Sequence, residues 1–248
     1  MGRFETSAAF YRHREPYPSA FFNAVAARLG LTRQTRMLDV GCGPGNLAIG
    51  FAPLVGMCTA VDREPEMLRM ARRNAAGENA DITFIESGIE DLNCEAAWFE
   101  FVTIGRALHW LPREAALPVL ERVIAAGGHI AICGSTATDA PVNAWAATFR
   151  ELRKTWAPDP GESRYKVDLD RWFDPSRFTQ MEDVAVKHRQ SVTISDLISR
   201  ALSFSTSSPA VLGERRPQFE AALREALAPF AAQGALEEEL VAKAAIFG

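Results

Sequence analysis

Residues 36 to 46 read Arg-Met-Leu-Asp-Val-Gly-Cys-Gly-Pro-Gly-Asn, and no other stretch of the chain restricts its fold as strongly. Met37, Leu38 and Val40 form a short apolar run of the buried-strand type, interrupted by Asp39 near its end. Gly41, Gly43 and Gly45 follow at alternate positions before an apolar helical stretch begins. Glycine there permits positive φ and lets a ligand approach the backbone closely. Asn46 is placed to cap the helix, whose free N–H groups point back into the same turn. A strand, a glycine turn and a helix in this order make a ligand-binding turn.

From Arg36 onward the pattern alternates. Strands are expected over 36–40, 57–61, 82–85, 99–104 and 128–133, with helices over 46–54, 64–76 and 113–126. This alternation implies an α/β fold, a doubly wound and mostly parallel sheet with right-handed crossovers. Ligands bind such sheets beyond the carboxyl ends of the strands, at the topological switch point, which is where the glycine turn lies.

Ahead of the first strand, residues 4–30 carry Phe4, Phe10, Tyr11, Tyr17, Phe21, Phe22, Val25 and Leu29, with Pro16 and Pro18 between two helical stretches. Ser19 is a candidate N-cap for the second stretch, which ends at Gly30. After Cys133 the regularity breaks. Residues 135–180 hold Trp145, Phe149, Trp156, Tyr165, Trp172, Phe173 and Phe178, with prolines at 141, 158, 160 and 175. Trp145, Phe149, Leu152 and Trp156 share one helix face, which reads either as core or as the wall of a substrate pocket. A strand over 183–192, helices over 194–204 and 214–228, and a last strand over 239–247 complete the sheet. One domain is expected: a lid over 1–30, a ligand-binding core over 31–134, a substrate-cap insertion over 135–180 and the rest of the sheet over 181–248.

Several function classes are disfavoured by composition. The net charge is −4 with Lys and Arg scattered, so no electrostatic footprint for nucleic acid or an anionic membrane is present. Cys42, Cys58, Cys94 and Cys133 form no Cys-x-x-Cys pair and point to a reducing, cytoplasmic setting. No apolar run reaches the roughly 18 residues of a spanning helix, and no signal-peptide core is visible. Met1-Gly2 with Thr6 fits the short myristoylation pattern, but nothing polybasic follows it. No carboxylate cluster suggests a metal.

A dinucleotide fingerprint needs a third glycine at position 46, where this chain has Asn. The Asp-x-Gly-x-Gly-x-Gly turn instead resembles motif I of the class I S-adenosylmethionine-dependent methyltransferases, in which it wraps the amino-acid end of the cofactor. That resemblance implies a seven-stranded Rossmann-like sheet and assigns Asp39, Gly41, Cys42, Gly43, Gly45 and Asn46 to the turn. Asp62, 17 residues beyond Gly45, matches the acid that accepts from both ribose hydroxyls, a charge-assisted recognition. Arg63 and Met67 match residues flanking the adenine. The segment 82–92 resembles the adenine loop, with Gly88 where many relatives carry Asp, so backbone groups of Gly88 and Ile89 or the side chain of Glu90 substitute. Phe101 to Leu111 resembles the segment over the methyl donor, which brings in Gly105 and Arg106 and a His-Trp pair. Gly127-Gly128 resembles the family's fifth-strand entry, with Ala126 for its proline.

The resemblance implies transfer of a methyl group from S-adenosylmethionine, leaving S-adenosylhomocysteine, to an O or N atom of a small, partly apolar acceptor such as a secondary metabolite. His109, Tyr11 and Tyr17 are the candidate catalytic residues. His109 reads equally as a loop histidine packed on Trp110, and the two tyrosines as packing rings. Two other readings stay open: an S-adenosylmethionine-binding fold with another reaction or a partner-binding role, and a dinucleotide oxidoreductase.

Overall fold

The computed structural model describes residues 8–157 and 167–248 of the chain. Phe4, Tyr165, the prolines at 158 and 160 and the Met1-Gly2 to Thr6 pattern lie outside the described residues. A 3-10 turn over Ala8–His13 precedes α1 (Ser19–Leu29), β1 (Arg36–Val40), α2 (Asn46–Phe51), β2 (Met57–Asp62), α3 (Pro65–Gly77), β3 (Thr83–Glu86), β4 (Phe99–Gly105) and α4 (Arg113–Val123). Then come β5 (Ile124–Ala137), α5 (Trp145–Trp156), α6 (Leu169–Phe173), β6 (Val184–Thr193), α7 (Ile194–Leu202), α8 (Pro209–Leu212), α9 (Arg216–Leu227) and β7 (Ala235–Phe247).

The seven strands are hydrogen-bonded in the order β3-β2-β1-β4-β5-β7-β6. β1 pairs in parallel with β2 and with β4, β2 with β3, and β4 with β5. The chain order reverses between β1 and β4, so the switch point falls at the carboxyl end of β1, beside the glycine turn.

Several boundaries differ from the sequence pattern: α2 ends at Phe51 rather than 54, and β5 runs on to Ala137 rather than 133. α4 stops at Val123, and β5 starts at Ile124 rather than 128 because a register irregularity between Phe99 and Phe101, with Gly127 at φ +73°, lets the strand take in both glycines. β7 begins at Ala235 rather than 239. Two cap assignments are also corrected. The N-cap of α1 is Pro18, and Ser19 is already helical. The N-cap of α2 is Gly45 at φ +88°, and Asn46, the first helical residue, makes no capping contact.

Internal packing divides the described residues into two units. The first comprises 17–134, 167–186 and 242–248. Its strands alternate between two apolar clusters: Leu38 and Val40 pack with Val102, Ile104 and Leu120, whereas Met37 packs with Phe101, Phe21 and Phe51. Each such side chain contributes about 1.5–3 kcal/mol when buried. Trp172, Phe173 and Phe178 belong to the first of these clusters.

The second unit comprises 8–16, 135–157 and 187–241. In it Trp145 and Phe149 of α5 are buried with Phe219 and Leu223 of α9, and Leu152 and Trp156 pack against them. The aromatic face of α5 is therefore core. The 3-10 turn is tied to α7: His13 Nδ1 lies 3.1 Å from Asp196 Oδ1, and Arg200 Nε donates to the His13 carbonyl at 2.8 Å. Arg200, buried, pairs through both terminal nitrogens with the buried Glu238, at 2.7 and 2.8 Å.

Candidate functional site

In the first unit, the glycine turn closes over the end of β2. Cys42 N donates to the Val61 carbonyl at 3.0 Å and Gly45 N to the Cys42 carbonyl at 3.0 Å. Gly41, at φ +63°, admits no side chain, because a Cβ there would stand 2.7 Å from the Ala107 Cβ. Gly43, at φ +54°, turns its N–H toward Asp62, whose Oδ2 accepts it at 2.7 Å. Asp62 Oδ1 accepts from the Glu64 amide at 2.9 Å. Each oxygen keeps a lone pair for a further donor. Burial raises the Asp62 carboxyl above its usual range, and the Glu64 and Gly43 amides together with the charge and amide of Arg63 oppose that shift.

Asp39 has a structural part. It is fully buried, and its Oδ1 accepts from Thr103 Oγ1 at 2.7 Å while Oδ2 accepts from Ala48 N at 3.2 Å. Buried as it is, Asp39 ties β1, β4 and the start of α2 together through these two bonds. It also satisfies an amide at the α2 N-terminus, the work expected of Asn46. Burial pushes its pKa up to about 7. Thr103 was not legible as a site residue; its one signal is a lone hydroxyl in the apolar run Phe-Val-Thr-Ile.

The side chain of Cys42 is buried in the apolar cluster below the turn, and burial pushes its thiol well up. Met67 is buried on the first turn of α3. Ile89, in the loop after β3, is core. In that loop Arg63 and Glu90 form an ion pair, and Ser87 N donates to the Asp62 carbonyl at 3.1 Å.

At the end of β4, Gly105 packs on Leu47 and lies near Tyr17: a Cβ on it would meet Leu47 Cδ1 at 2.6 Å and the Tyr17 hydroxyl at 3.7 Å. Arg106 follows at φ +57°, rare for a side-chain-bearing residue, with its guanidinium carbon 5.2 Å from the centre of the Tyr17 ring. The structure thus brings Tyr17, Gly105 and Arg106 together. His109 sits in a 3-10 turn beyond the same strand, half-buried, with its ring 4.7 Å from that of Trp110. Tyr11 belongs to the second unit, where the Arg14 guanidinium carbon lies 5.2 Å from its ring centre.

These features fit S-adenosylmethionine: a side-chain-free turn for a polar tail, an acid with spare lone pairs for a diol, and a buried carboxylate oxygen, Glu90 Oε2, without a partner among the described residues. The comparisons agree. Residues 37–128 match a family described as a methyltransferase domain. The ubiquinone biosynthesis O-methyltransferase of Xanthomonas oryzae pv. oryzae is 32% identical over 168 residues, 65% of this chain and 69% of that protein. The chain belongs to the class I S-adenosylmethionine-dependent methyltransferases.

S-adenosylmethionine is the cofactor of this methyltransferase family. The malonyl-[acyl-carrier protein] O-methyltransferase of Enterobacter lignolyticus is 29% identical over 154 residues, 62% of this chain, and the match spans little more than half of that relative, 56% of its length. The YcgJ protein of Bacillus subtilis shares the fold, with a TM-score of 0.58 and 20% identity over 93% of this chain and 98% of that one. Among the described residues of the methyltransferase, no helix is long and apolar enough to cross a membrane, and no three His, Cys, Asp or Glu side chains gather as a metal site.

Proposed function

We propose that this chain transfers the methyl group of S-adenosylmethionine to an oxygen or nitrogen of a small, partly apolar acceptor. The observation that carries the reading is the 2.7 Å bond between Gly43 N and Asp62 Oδ2, which makes one constellation of the glycine turn and the acid at the end of β2. In it, the backbone of Gly41 to Gly45 receives the amino-acid end of the cofactor, and Asp62 accepts from its ribose hydroxyls. Arg63, Met67, Gly88, Ile89 and Glu90 surround the adenine, and Gly105 and Arg106 border the reacting methyl.

The cofactor supplies a methyl group made electrophilic by its sulfonium. The chain's task is then to place a nucleophile in line with it, and orientation at ~3–3.5 Å removes on the order of 7–11 kcal/mol of barrier. Tyr17, stacked beside Arg106, offers a phenol oxygen at the end of β4 that orients the acceptor or takes its proton; His109 is the second candidate on the same strand end. The two relatives above are named as O-methyltransferases, which favours oxygen as the acceptor atom.

Mass spectrometry of ligand retained through purification, followed by transfer of isotopically labelled methyl to a panel of phenols, carboxylic acids and amines, tests this. Retained adenosylhomocysteine and a labelled oxygen acceptor are expected. A retained nicotinamide dinucleotide, or no labelled product from any acceptor class, overturns the reading.

A further inference from the structure

A groove of about 800 Å³ opens in the first unit at the amino ends of β2 and β3, away from the glycine turn. Its cause lies in strand register. β3 pairs with β2 only from Thr59 and Thr83 onward, so Met57 and Cys58, which begin β2, are left uncovered by β3. α1 and the turn between α2 and β2 line the groove, together with the turn between α3 and β3. The segment after α1 is fastened to the first of these turns: Arg33 Nη1 donates to the carbonyls of Ala52 and Pro53 at 3.2 and 3.1 Å, and a Cβ on Gly56 would stand 1.9 Å from the Arg33 carbonyl oxygen.

The lining is divided chemically. Phe22, Ile49, Leu54 and Met57 supply apolar surface, and Met57 is 44% exposed, one of only two large apolar side chains exposed to that degree among the described residues. An apolar side chain left exposed inside a concavity of ligand size marks a binding site. The turn between α3 and β3 contributes Glu78 and Asp81. Both are exposed, and among the described residues neither carboxylate is held by a cation or a hydrogen-bond donor. Arg33, the one cation among the described lining residues, directs its guanidinium to the two carbonyls instead. Apolar surface beside two unopposed carboxylates complements an organic cation with an apolar body: burial of the body supplies affinity, and the carboxylates select the sign of the charge.

We propose that this groove binds a small amphipathic amine, with its apolar body against Met57 and Leu54 and its ammonium group toward Glu78 and Asp81. The site is separate from that of the cofactor. Asp62 ends the strand that Met57 begins, and a strand rises about 3.3 Å per residue, so about 16 Å of β2 lies between them. An occupant nevertheless packs on the two elements that carry the cofactor constellation, since β2 ends in Asp62 and α2, whose Ile49 lines the groove, begins at the glycine turn.

Magnetic-resonance titration of the full chain, labelled with carbon-13 at its methionine methyl groups, tests the proposal; the probes are phenethylamine, 2-phenylethanol, phenylacetate and a lysine-rich peptide, and Met57→Leu assigns the Met57 signal. Phenethylamine is expected to shift that signal saturably, with a Kd at least fivefold below that of the uncharged alcohol, and phenylacetate to give no saturation. In the double variant Glu78→Gln with Asp81→Asn, both at exposed positions, the amine is expected to bind no better than the alcohol. Saturating adenosylhomocysteine is expected to leave the Kd of the amine within about twofold. Absence of a saturable shift with the amine, equal binding of amine and alcohol, or an undiminished preference in the double variant overturns the proposal. Competitive displacement by adenosylhomocysteine also overturns it, by placing the amine in the cofactor site. So does a shift given by the peptide alone, which would make the groove a protein-docking face, or a shift on dilution of the protein without any probe, which would make it a contact between copies of this chain.

Discussion

Replacing Asp62 with alanine probes the whole constellation at once. The carboxylate accepts from Gly43 N at 2.7 Å and Glu64 N at 2.9 Å, and a hydrogen bond to a charged group contributes about 1.5–3 kcal/mol net. Part of the loss is offset, because burial already raises the Asp62 pKa and alanine relieves that cost. Fold stability is therefore expected to fall by about 1–3 kcal/mol, well within what a domain of this size survives. Cofactor affinity loses the ribose contact and the fixed turn together, so a drop of about 1.5–3 kcal/mol is expected, roughly ten- to hundredfold in Kd. Asp62→Asn keeps one acceptor oxygen, serves only one of the two amides and is expected to fall between alanine and the wild type. Calorimetric titration with adenosylhomocysteine measures the affinities, and urea unfolding shows that each variant is folded. Unchanged affinity in a folded Asp62→Ala protein would remove this residue from the site.

Gly43→Val is expected to abolish measurable cofactor binding, because a β-branched residue is strained at φ +54° and its side chain fills the turn; normal binding by calorimetry would show that the turn holds no ligand. Asp39 carries a pH signature. Its folded pKa, about 7, lies above the unfolded value near 3.9, so the native state binds the extra proton, and the stability it contributes, full below pH ~4, is lost as pH rises through about 7. In urea unfolding at pH 5 and pH 8, Asp39→Asn should flatten the wild type's decline, and equal slopes would mean that Asp39 stays ionised. In the second unit, Arg200→Met is expected to cost about 3–5 kcal/mol by stranding the buried Glu238, and Arg200→Met with Glu238→Leu to recover much of it; a double variant as unstable as the single one would show that the charge pair is not what the fold needs. Tyr17→Phe is expected to lower turnover at least tenfold with adenosylhomocysteine affinity within twofold of wild type; undiminished turnover would leave the ring as packing only.

The order of strands and helices and the place of the glycine turn were legible in the sequence, because each rests on local rules; Asp62 was singled out only through the family resemblance, and its bond to Gly43 came with the structure. Apolar periodicity fixes the backbone type of a segment, glycine marks where φ must turn positive, and the carboxyl end of a strand in a doubly wound sheet is where a ligand sits. Partners that depend on which strands lie side by side were not legible. Asp39 gives no sign of its partner until β4 is set next to β1, when Thr103, 64 residues away, reaches it. The aromatic stripe of α5 reads as core or pocket wall alike until α9 covers it, since periodicity specifies a buried face without saying what buries it. Gly88 reads as a missing acid until the ion pair of Arg63 with Glu90, 27 residues apart, is seen to occupy its side-chain space. Backbone conformation is a local property and the sequence specifies it locally; the occupation of volume by distant side chains is decided only when the chain has packed.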